Sequence, residues 1–178
     1  MTETILVLDF GSQYSQLIAR RIRECNVYSQ VVPFNIAAAK ILAEKPRGIV
    51  LSGGPASVYE EGAPTIDPAI FDLGIPVLGI CYGMQIAVQT LGGKVVRGSA
   101  REYGRAELRV TAESPLFAGV KSPLKVWMSH GDKVAALPPG AERVAETDNT
   151  EHAAIAIPAR GFHGIQFHPE VVHTEQGA

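Results

Sequence analysis

Ile75-Pro76-Val77-Leu78-Gly79-Ile80-Cys81-Tyr82-Gly83-Met84-Gln85 runs from an apolar segment, through a cysteine between two glycines, into a stretch with helical spacing. Val77 to Ile80 reads as a buried strand, and Met84, Ala87, Val88 and Leu91 fall on one face of the helix that follows. A nucleophile between glycines at a strand-to-helix turn has the layout of a nucleophile elbow. The sharp turn strains its central residue, and glycine on either side removes the steric conflict. Such a turn lifts the thiol out of the sheet and toward a cleft. The helix start at Tyr82 sets free N–H groups and a positive dipole end beside the sulfur. On these residues alone, a buried structural thiol is an equally open reading.

Upstream of the elbow, strands and helices alternate. Ile5 to Asp9 is an apolar run ended by Gly11-Ser12, and Ser12 is placed to cap a helix with Tyr14, Leu17, Ile18 and Ile22 on one face. Ser29 to Val32 reads as a second strand, Ile36 to Leu42 as a helix, and Gly48 to Leu51 as a third strand broken by Ser52-Gly53-Gly54-Pro55. Pro64 to Leu73 holds a short helix begun near Asp67-Pro68. This order predicts an α/β fold: an open, mostly parallel sheet with helices on both faces. Ligands of such sheets sit at the carboxyl ends of the strands. Phe10-Gly11-Ser12, Ser52-Gly53-Gly54 and Cys81 all fall on that edge.

Beyond Gly92-Gly93 the texture changes. Lys94 to Arg97, Glu107 to Val110, Leu124 to Met128 and Arg143 to Glu146 are short and bounded by Gly, Pro or Ser. They predict a small antiparallel sheet in the C-terminal half. Arg101-Glu102-Tyr103-Gly104-Arg105 reads as a polar loop and a candidate partner contact. Ala153 to Ile157 and Phe162 to Phe167, separated by Pro158-Ala159-Arg160-Gly161, read as a hairpin that feeds back into the main sheet.

Composition removes several classes of function. Residues 1–178, with 46% hydrophobic content, suit a single domain with its own core, and no repeat or linker interrupts them. A net charge of −2 gives no reason to expect a nucleic-acid or membrane partner. Met1-Thr2-Glu3-Thr4 does not open a signal peptide, and no apolar run is long enough for a bilayer. Two cysteines, Cys25 and Cys81, make a poor disulfide framework and point to the cytoplasm. The five histidines lack ligand spacing, so no metal site is expected.

A thiol nucleophile needs a base, and the base needs an orienting group. His168-Pro169-Glu170 supplies both at the end of the last strand. Side chains at i and i+2 of an extended chain point the same way. Glu170 can therefore accept from one ring nitrogen of His168 while the other faces Cys81, with Pro169 stiffening the pair. Acyl transfer also needs backbone N–H donors where negative charge develops. Tyr82, at the helix start, offers one, and Gly53 or Gly54 offers another. Each segment also has a bland reading, as a loop cap or a tight turn.

Gly79-Ile80-Cys81-Tyr82-Gly83-Met84-Gln85, Ser52-Gly53-Gly54-Pro55 and Gln166-Phe167-His168-Pro169-Glu170 together resemble the class I glutamine amidotransferases. The resemblance covers the whole chain in the right order. Within that class, three further segments resemble the amidotransferase domains of GMP synthases. They are Asp9-Phe10-Gly11-Ser12-Gln13-Tyr14, Trp127-Met128-Ser129-His130-Gly131-Asp132 and His173-Thr174-Glu175-Gln176-Gly177.

The resemblance implies a glutaminase with a Cys-His-Glu triad. Cys81 would attack the side-chain amide of L-glutamine to form a thioester, His168 would protonate the departing ammonia, and Glu170 would orient His168. Gly53 and Tyr82 would supply the oxyanion N–H groups. Gly54, Gln85, Ser129, His130 and Asp132 would hold the substrate. Gln85 otherwise reads as a helix-surface residue, and Ser129 to Asp132 as an ordinary turn.

The same resemblance implies a partner. Two-domain GMP synthases continue into an ATP-pyrophosphatase domain with a Ser-Gly-Gly-Val-Asp-Ser signature and then a dimerisation domain, and neither is read in this chain. ATP, Mg2+ and xanthosine monophosphate are thus expected on a synthetase domain or subunit, with homodimerisation through the missing domain. The end at Gly177-Ala178 reads as that of an excised domain or a separate subunit. Competing readings are a cysteine peptidase or hydrolase on a similar fold, and a non-catalytic regulatory module. Among the remaining residues, Arg20, Arg21 and Arg23 read as favourable charge at a helix C-terminus, with a docking edge as the alternative. Trp127 reads as core and Cys25 as inert, while His152, His163 and His173 read as structural or solvated.

Overall fold

The computed structural model of the protein describes residues 3–178. Met1 and Thr2, half of the segment read as carrying no leader, lie outside the described residues. The two-residue alternation of β1 (Thr4–Asp9) divides its side chains between two cores. Leu6 and Leu8 join Ile49 and Leu51 of β3 (Gly48–Leu51) on one face. There they meet Ile41 of α2 (Ala38–Glu44) and Met84 and Val88 of α3 (Tyr82–Thr90). Val7 and Val50 turn to the other face, against Ile18 and Ala19 of α1 (Ser15–Glu24). Helices therefore cover both faces of the sheet, as the alternating sequence requires.

The remaining strands are β2 (Tyr28–Pro33), β4 (Val77–Ile80), β5 (Lys94–Val110), β6 (Leu124–Ala136), β7 (Glu142–Glu146), β8 (Ala154–Ile157) and β9 (Phe162–Ile165). Their order in one sheet is β2-β1-β3-β4-β9-β8-β7-β5-β6. The pairs β1–β2, β1–β3, β3–β4 and β4–β9 are parallel. The pairs β8–β9, β7–β8, β5–β7 and β5–β6 are antiparallel. The hairpin of β8 and β9 returns to the parallel half as expected, and through it the antiparallel half is continuous with the parallel one.

Several boundaries differ from the sequence reading. Ser12 does not cap α1; its Oγ accepts from the N–H of Tyr14 at 3.0 Å, closing a turn ahead of the helix. Residues 101–105, read as a loop, belong to β5, which pairs with β6 along most of its length. Residues 129–132, for which an ordinary turn was the alternative to a substrate-holding role, lie inside β6. Polar residues obscure both strands because the ribbon of β5 and β6 extends with much of its surface in solvent. The Asp67-Pro68 start holds: Asp67 Oδ1 accepts from the N–H of Ala69 at 3.0 Å and opens a 3-10 turn over Pro68–Asp72.

Candidate active site

The elbow owes its shape to two close approaches. A Cβ on Gly79 would lie 2.7 Å from the Met84 nitrogen, and one on Gly83 would overlap the carbonyl oxygen of Leu51. Only glycine lets α3 fold back this tightly on β4 and β3. Between them Cys81 adopts φ 53°, ψ −108°, a conformation that side chains rarely hold. Its N–H donates to the Ile165 carbonyl at 2.8 Å, extending the β4–β9 ladder by one residue. The side chain is 6% exposed, with Sγ 3.7 Å from the Ser129 carbonyl oxygen.

That ladder also delivers the second group. Ile80 stands opposite Ile165 in parallel register, and the chain leaving β9 carries His168 to the same sheet edge as Cys81, where both line one cavity. His168 and Glu170 are buried, and Nδ1 meets Glu170 Oε1 at 2.7 Å. The chain around them is tied from several sides. His168 N–H donates to the Trp127 carbonyl at 2.9 Å, Thr174 Oγ1 donates to the His168 carbonyl at 2.6 Å, and Arg21 Nε donates to the Glu170 carbonyl at 3.1 Å. Burial works against a charged imidazole, but hydrogen bonds and charge from Cys81 and Glu170 outweigh it and push the His168 pKa up to about 10. With Nδ1 on Glu170, Nε2 is the nitrogen left for Cys81. Thiol, imidazole and carboxylate thus stand side by side, with the imidazole hydrogen-bonded to the carboxylate and electrostatically coupled to the thiol.

The candidate oxyanion donors flank the sulfur. Tyr82 is the first residue of α3, so its N–H has no intrahelical acceptor. Its hydroxyl donates to the Pro64 carbonyl at 2.6 Å and is buried enough to hold its pKa at about 12, which anchors the helix start. Gly53 lies on the opposite side, where a Cβ would stand 3.1 Å from His168 Cε1 and 3.7 Å from Cys81 Cβ. Neither Gly53 nor Gly54 has positive φ. Their need for glycine is space, not backbone freedom: a Cβ on Gly54 would sit 2.6 Å from the Phe10 carbonyl. Ser52 fixes this turn, its Oγ accepting from Phe10 N–H and donating to the Gly53 carbonyl, both at 2.9 Å.

Cys81, His168, Gly54, Gln85 and residues 129–132 line one cavity of about 760 Å³. Gln85 is buried, not on the helix surface; its Nε2 donates to the Asp132 carbonyl and to Gln166 Oε1, each at 3.1 Å. The Asp132 carboxylate accepts from Ser57 Oγ and, at 2.6 Å, from the Tyr59 hydroxyl. His130, expected among the substrate-holding residues, lines the cavity with its ring engaged internally. Its Nδ1 is 2.8 Å from the Asp132 carbonyl and its Nε2 is 3.1 Å from Glu102 Oε2, so both nitrogens face internal acceptors. Glu102 Oε1 also accepts from Thr147, and Oε2 from Thr150. The ring of His130 therefore braces the cavity wall that His130 helps to line.

A model of the glutamine amidotransferase class-I family matches residues 6–178. The chain belongs to the class-I glutamine amidotransferase family. Among its relatives is a GMP synthase (glutamine-hydrolysing) of Heliobacterium modesticaldum, 59% identical over 98% of this chain and 34% of that protein. A Staphylococcus aureus enzyme of the same name is 57% identical over the same shares. The chain thus spans about a third of the length of these curated relatives, and it corresponds to their amidotransferase domain. A crystal structure of a Thermoplasma acidophilum protein named for one subunit of GMP synthase superposes with a TM-score of 0.89 at 30% identity, covering 99% of this chain and 89% of that one. A Thermotoga maritima glutamine amidotransferase gives 0.74 at 26% identity, over 96% and 77% of the two chains.

The amidotransferase cavity also holds Ser57, Tyr59 and Arg97, which carry no local motif and which sequence reasoning passed over as site residues. Arg101, read as a candidate partner contact, lines it too, and Tyr14 of the Asp9–Tyr14 segment packs edge-on to His168 with ring centroids 5.7 Å apart. The basic cluster on α1 has internal work: Arg20 and Arg21 pair with Glu24, Arg21 also reaches Glu170, and Arg23 Nη2 donates to the Ser29 carbonyl at 2.7 Å. Trp127, half-buried, lies against His173 at 4.7 Å between ring centroids. Among the described residues no helix is long and apolar enough to cross a membrane.

Proposed function

We propose that this chain hydrolyses L-glutamine to glutamate and passes the ammonia to a synthetase domain or subunit that converts xanthosine monophosphate to GMP. The observation that carries the reading is the placement of Cys81, on a strained strand-to-helix turn, beside a buried His168 whose Nδ1 is 2.7 Å from Glu170 Oε1. The Cys81 thiolate attacks the amide carbon, forming a C–S bond, while the carbonyl oxygen takes the negative charge. N–H groups of Gly53 and Tyr82 stabilise that charge. Collapse breaks the C–N bond as His168 gives its proton to the leaving nitrogen, which departs as ammonia and leaves a thioester. Water, losing a proton to His168, then attacks the thioester and frees glutamate and the thiolate. Glu170 holds the imidazole in orientation throughout.

Gly54, Gln85, Ser129, His130 and Asp132 hold the amino-acid end of the substrate in this reading. The domain works as one unit of residues 1–178 in the cytoplasm, with ATP and Mg2+ on the synthetase partner and dimerisation through that partner. The test is glutaminase activity with and without the synthetase domain carrying ATP and xanthosine monophosphate, together with labelling by a glutamine-analogue electrophile. Expected are glutamate release, a covalent adduct at Cys81, and loss of both in Cys81→Ala while amination from free ammonia survives in the assembled enzyme. An unlabelled Cys81, or loss of ammonia-dependent amination in Cys81→Ala, overturns the proposal.

A further inference from the structure

His173-Thr174-Glu175-Gln176-Gly177, the last of the three segments that resemble GMP synthase domains, takes no part in the chemistry described above. It folds back on His168-Pro169-Glu170 instead. Strand β6 lies at the edge of the sheet, so its outer N–H and C=O groups need partners from outside the ladder. The chain from His168 to Glu175 supplies them. Glu175 N–H donates to the Lys125 carbonyl at 2.9 Å, and Lys125 N–H donates to Glu175 Oε2 at 3.1 Å. Gln176 Oε1 accepts from the Lys121 N–H at 3.2 Å. Gly177 passes so near Pro169 that a Cβ would overlap the Pro169 carbonyl oxygen.

At Trp127 this pairing is opened by one hydroxyl. Two residues that face each other in a hydrogen-bonded antiparallel pair exchange two N–H···O bonds. Trp127 and His168 make only the first directly, from His168 N–H to the Trp127 carbonyl at 2.9 Å. The second runs through Thr174, whose Oγ1 accepts from Trp127 N–H at 2.9 Å and donates to the His168 carbonyl at 2.6 Å. The hydroxyl is thus a spacer between two backbone groups that would otherwise close on each other. Thr174 is buried, and its own N–H is tied to the Val171 carbonyl at 3.2 Å, so the spacer is fixed in place. The width of the gap sets the tilt of the His168 backbone. With Nδ1 held on Glu170, the ring has little freedom to compensate for a change in that tilt.

We propose that Thr174 is a positioning residue for His168, its hydroxyl holding the His168 and Trp127 backbones apart so that the imidazole meets Cys81. The assignment rests on the glutaminase reading above and adds to it a residue that does not line the cavity. Thr174→Val keeps the shape of the side chain and removes both hydrogen bonds, whereas Thr174→Ser keeps both. In hydrolysis of L-glutamine, Thr174→Val lowers kcat by about ten- to a hundredfold and leaves KM within about twofold, because a misplaced base slows the chemical step while the cavity wall is untouched. Thr174→Ser stays within about threefold of the parent in kcat. A second readout needs no glutamine. Iodoacetamide alkylates Cys81 as the thiolate displaces iodide, and a protonated imidazole beside the sulfur favours that thiolate. At neutral pH, peptide-resolved mass spectrometry should show Cys81 of Thr174→Val reacting about fivefold more slowly or less, with the rate restored in Thr174→Ser. Exposed Cys25 keeps its parental rate in every variant. A merely loosened fold would expose Cys81 and speed its reaction. Parental kcat in Thr174→Val, unchanged or faster alkylation of its Cys81, or a Thr174→Ser chain as slow as Thr174→Val overturns the assignment and leaves the glutaminase reading intact. If the parent hydrolyses no glutamine, the glutaminase reading fails in this chain and alkylation alone decides: slower reaction of Cys81 in Thr174→Val supports Thr174, and equal or faster reaction overturns it. Should Thr174→Val not fold, Thr174→Ala, which lacks both bonds and adds no bulk, is read in the same way.

Discussion

Gly83→Ala is the smallest change that should disturb both the fold and the nucleophile. The added methyl group would overlap the Leu51 carbonyl oxygen and lie 2.6 Å from Leu51 Cβ and 2.7 Å from its carbonyl carbon. Leu51 cannot yield, because β3 is hydrogen-bonded on both sides and its side chain is 0% exposed. Helix α3 must lift instead, by roughly 1 Å, to restore ordinary contact distances of about 3.5 Å. Inserting a methyl group into a filled core costs about 1–3 kcal/mol, and a rigid backbone neighbour puts this site at the upper end. Alanine's better helix propensity returns up to about 1 kcal/mol, leaving a net loss of about 2 kcal/mol. For a domain of this size that lowers the melting temperature by roughly 4–8 °C. The lifted helix carries the Tyr82 N–H and the Cys81 backbone with it, and a displacement near 1 Å can cost about a hundredfold in rate. Thermal melting and glutaminase kinetics should therefore fall together. Gly62→Ala is the control, since its φ of +76° is strained for alanine but nothing lies within 4 Å of the new methyl group. A Gly83→Ala protein that melts within a degree of the parent, or that turns over glutamine at the parental rate, refutes the argument.

Cys81→Ala should lower the His168 pKa from about 10, since burial still opposes the charge and one of its two supports is gone. A histidine-resolved NMR titration reads the change, and an unaltered value would remove the sulfur from the account. The linked stability has a definite sign. A raised imidazole pKa stabilises the fold fully below its ordinary value near 6.5, and the contribution is lost as pH rises through about 10. Urea melts of Cys81→Ala should accordingly show a shallower alkaline decline than the parent. Glu102 behaves in the opposite sense. Burial raises its pKa, but hydrogen bonds from His130, Thr150 and Thr147 outweigh that and hold it below the usual carboxylate value of 4.5. Its contribution is present above about pH 4.5 and lost as pH falls through the lowered folded value. Glu102→Gln keeps the shape without the charge and should cost about 2 kcal/mol at pH 7. Melts between pH 3 and 7 should show that difference shrinking with acid, and a constant offset would mean that the charge is irrelevant.

What could be read from the chain follows from the range over which each signal acts. Leu6, Val7 and Leu8 reveal β1 because strand period alone assigns them to the two cores. Cys81 and the pair His168 and Glu170 are legible because an elbow and an i, i+2 relation are made within a few residues. The wall of the cavity is made differently. Glu102 looks like one more surface charge, yet it is buried because His130, 28 residues away, and Thr147 and Thr150, beyond 40, converge on it. Ser129 to Asp132 has the composition of a turn, and only pairing with β5 makes it strand. Arg101 gains its place from a bulge, a property of register that neither strand encodes alone. The parallel half sets the nucleophile by local turn chemistry, and the antiparallel half sets the substrate wall by pairing between distant segments. Substitutions that shift the β5–β6 register should therefore alter which amide is accepted before they alter the chemistry at Cys81.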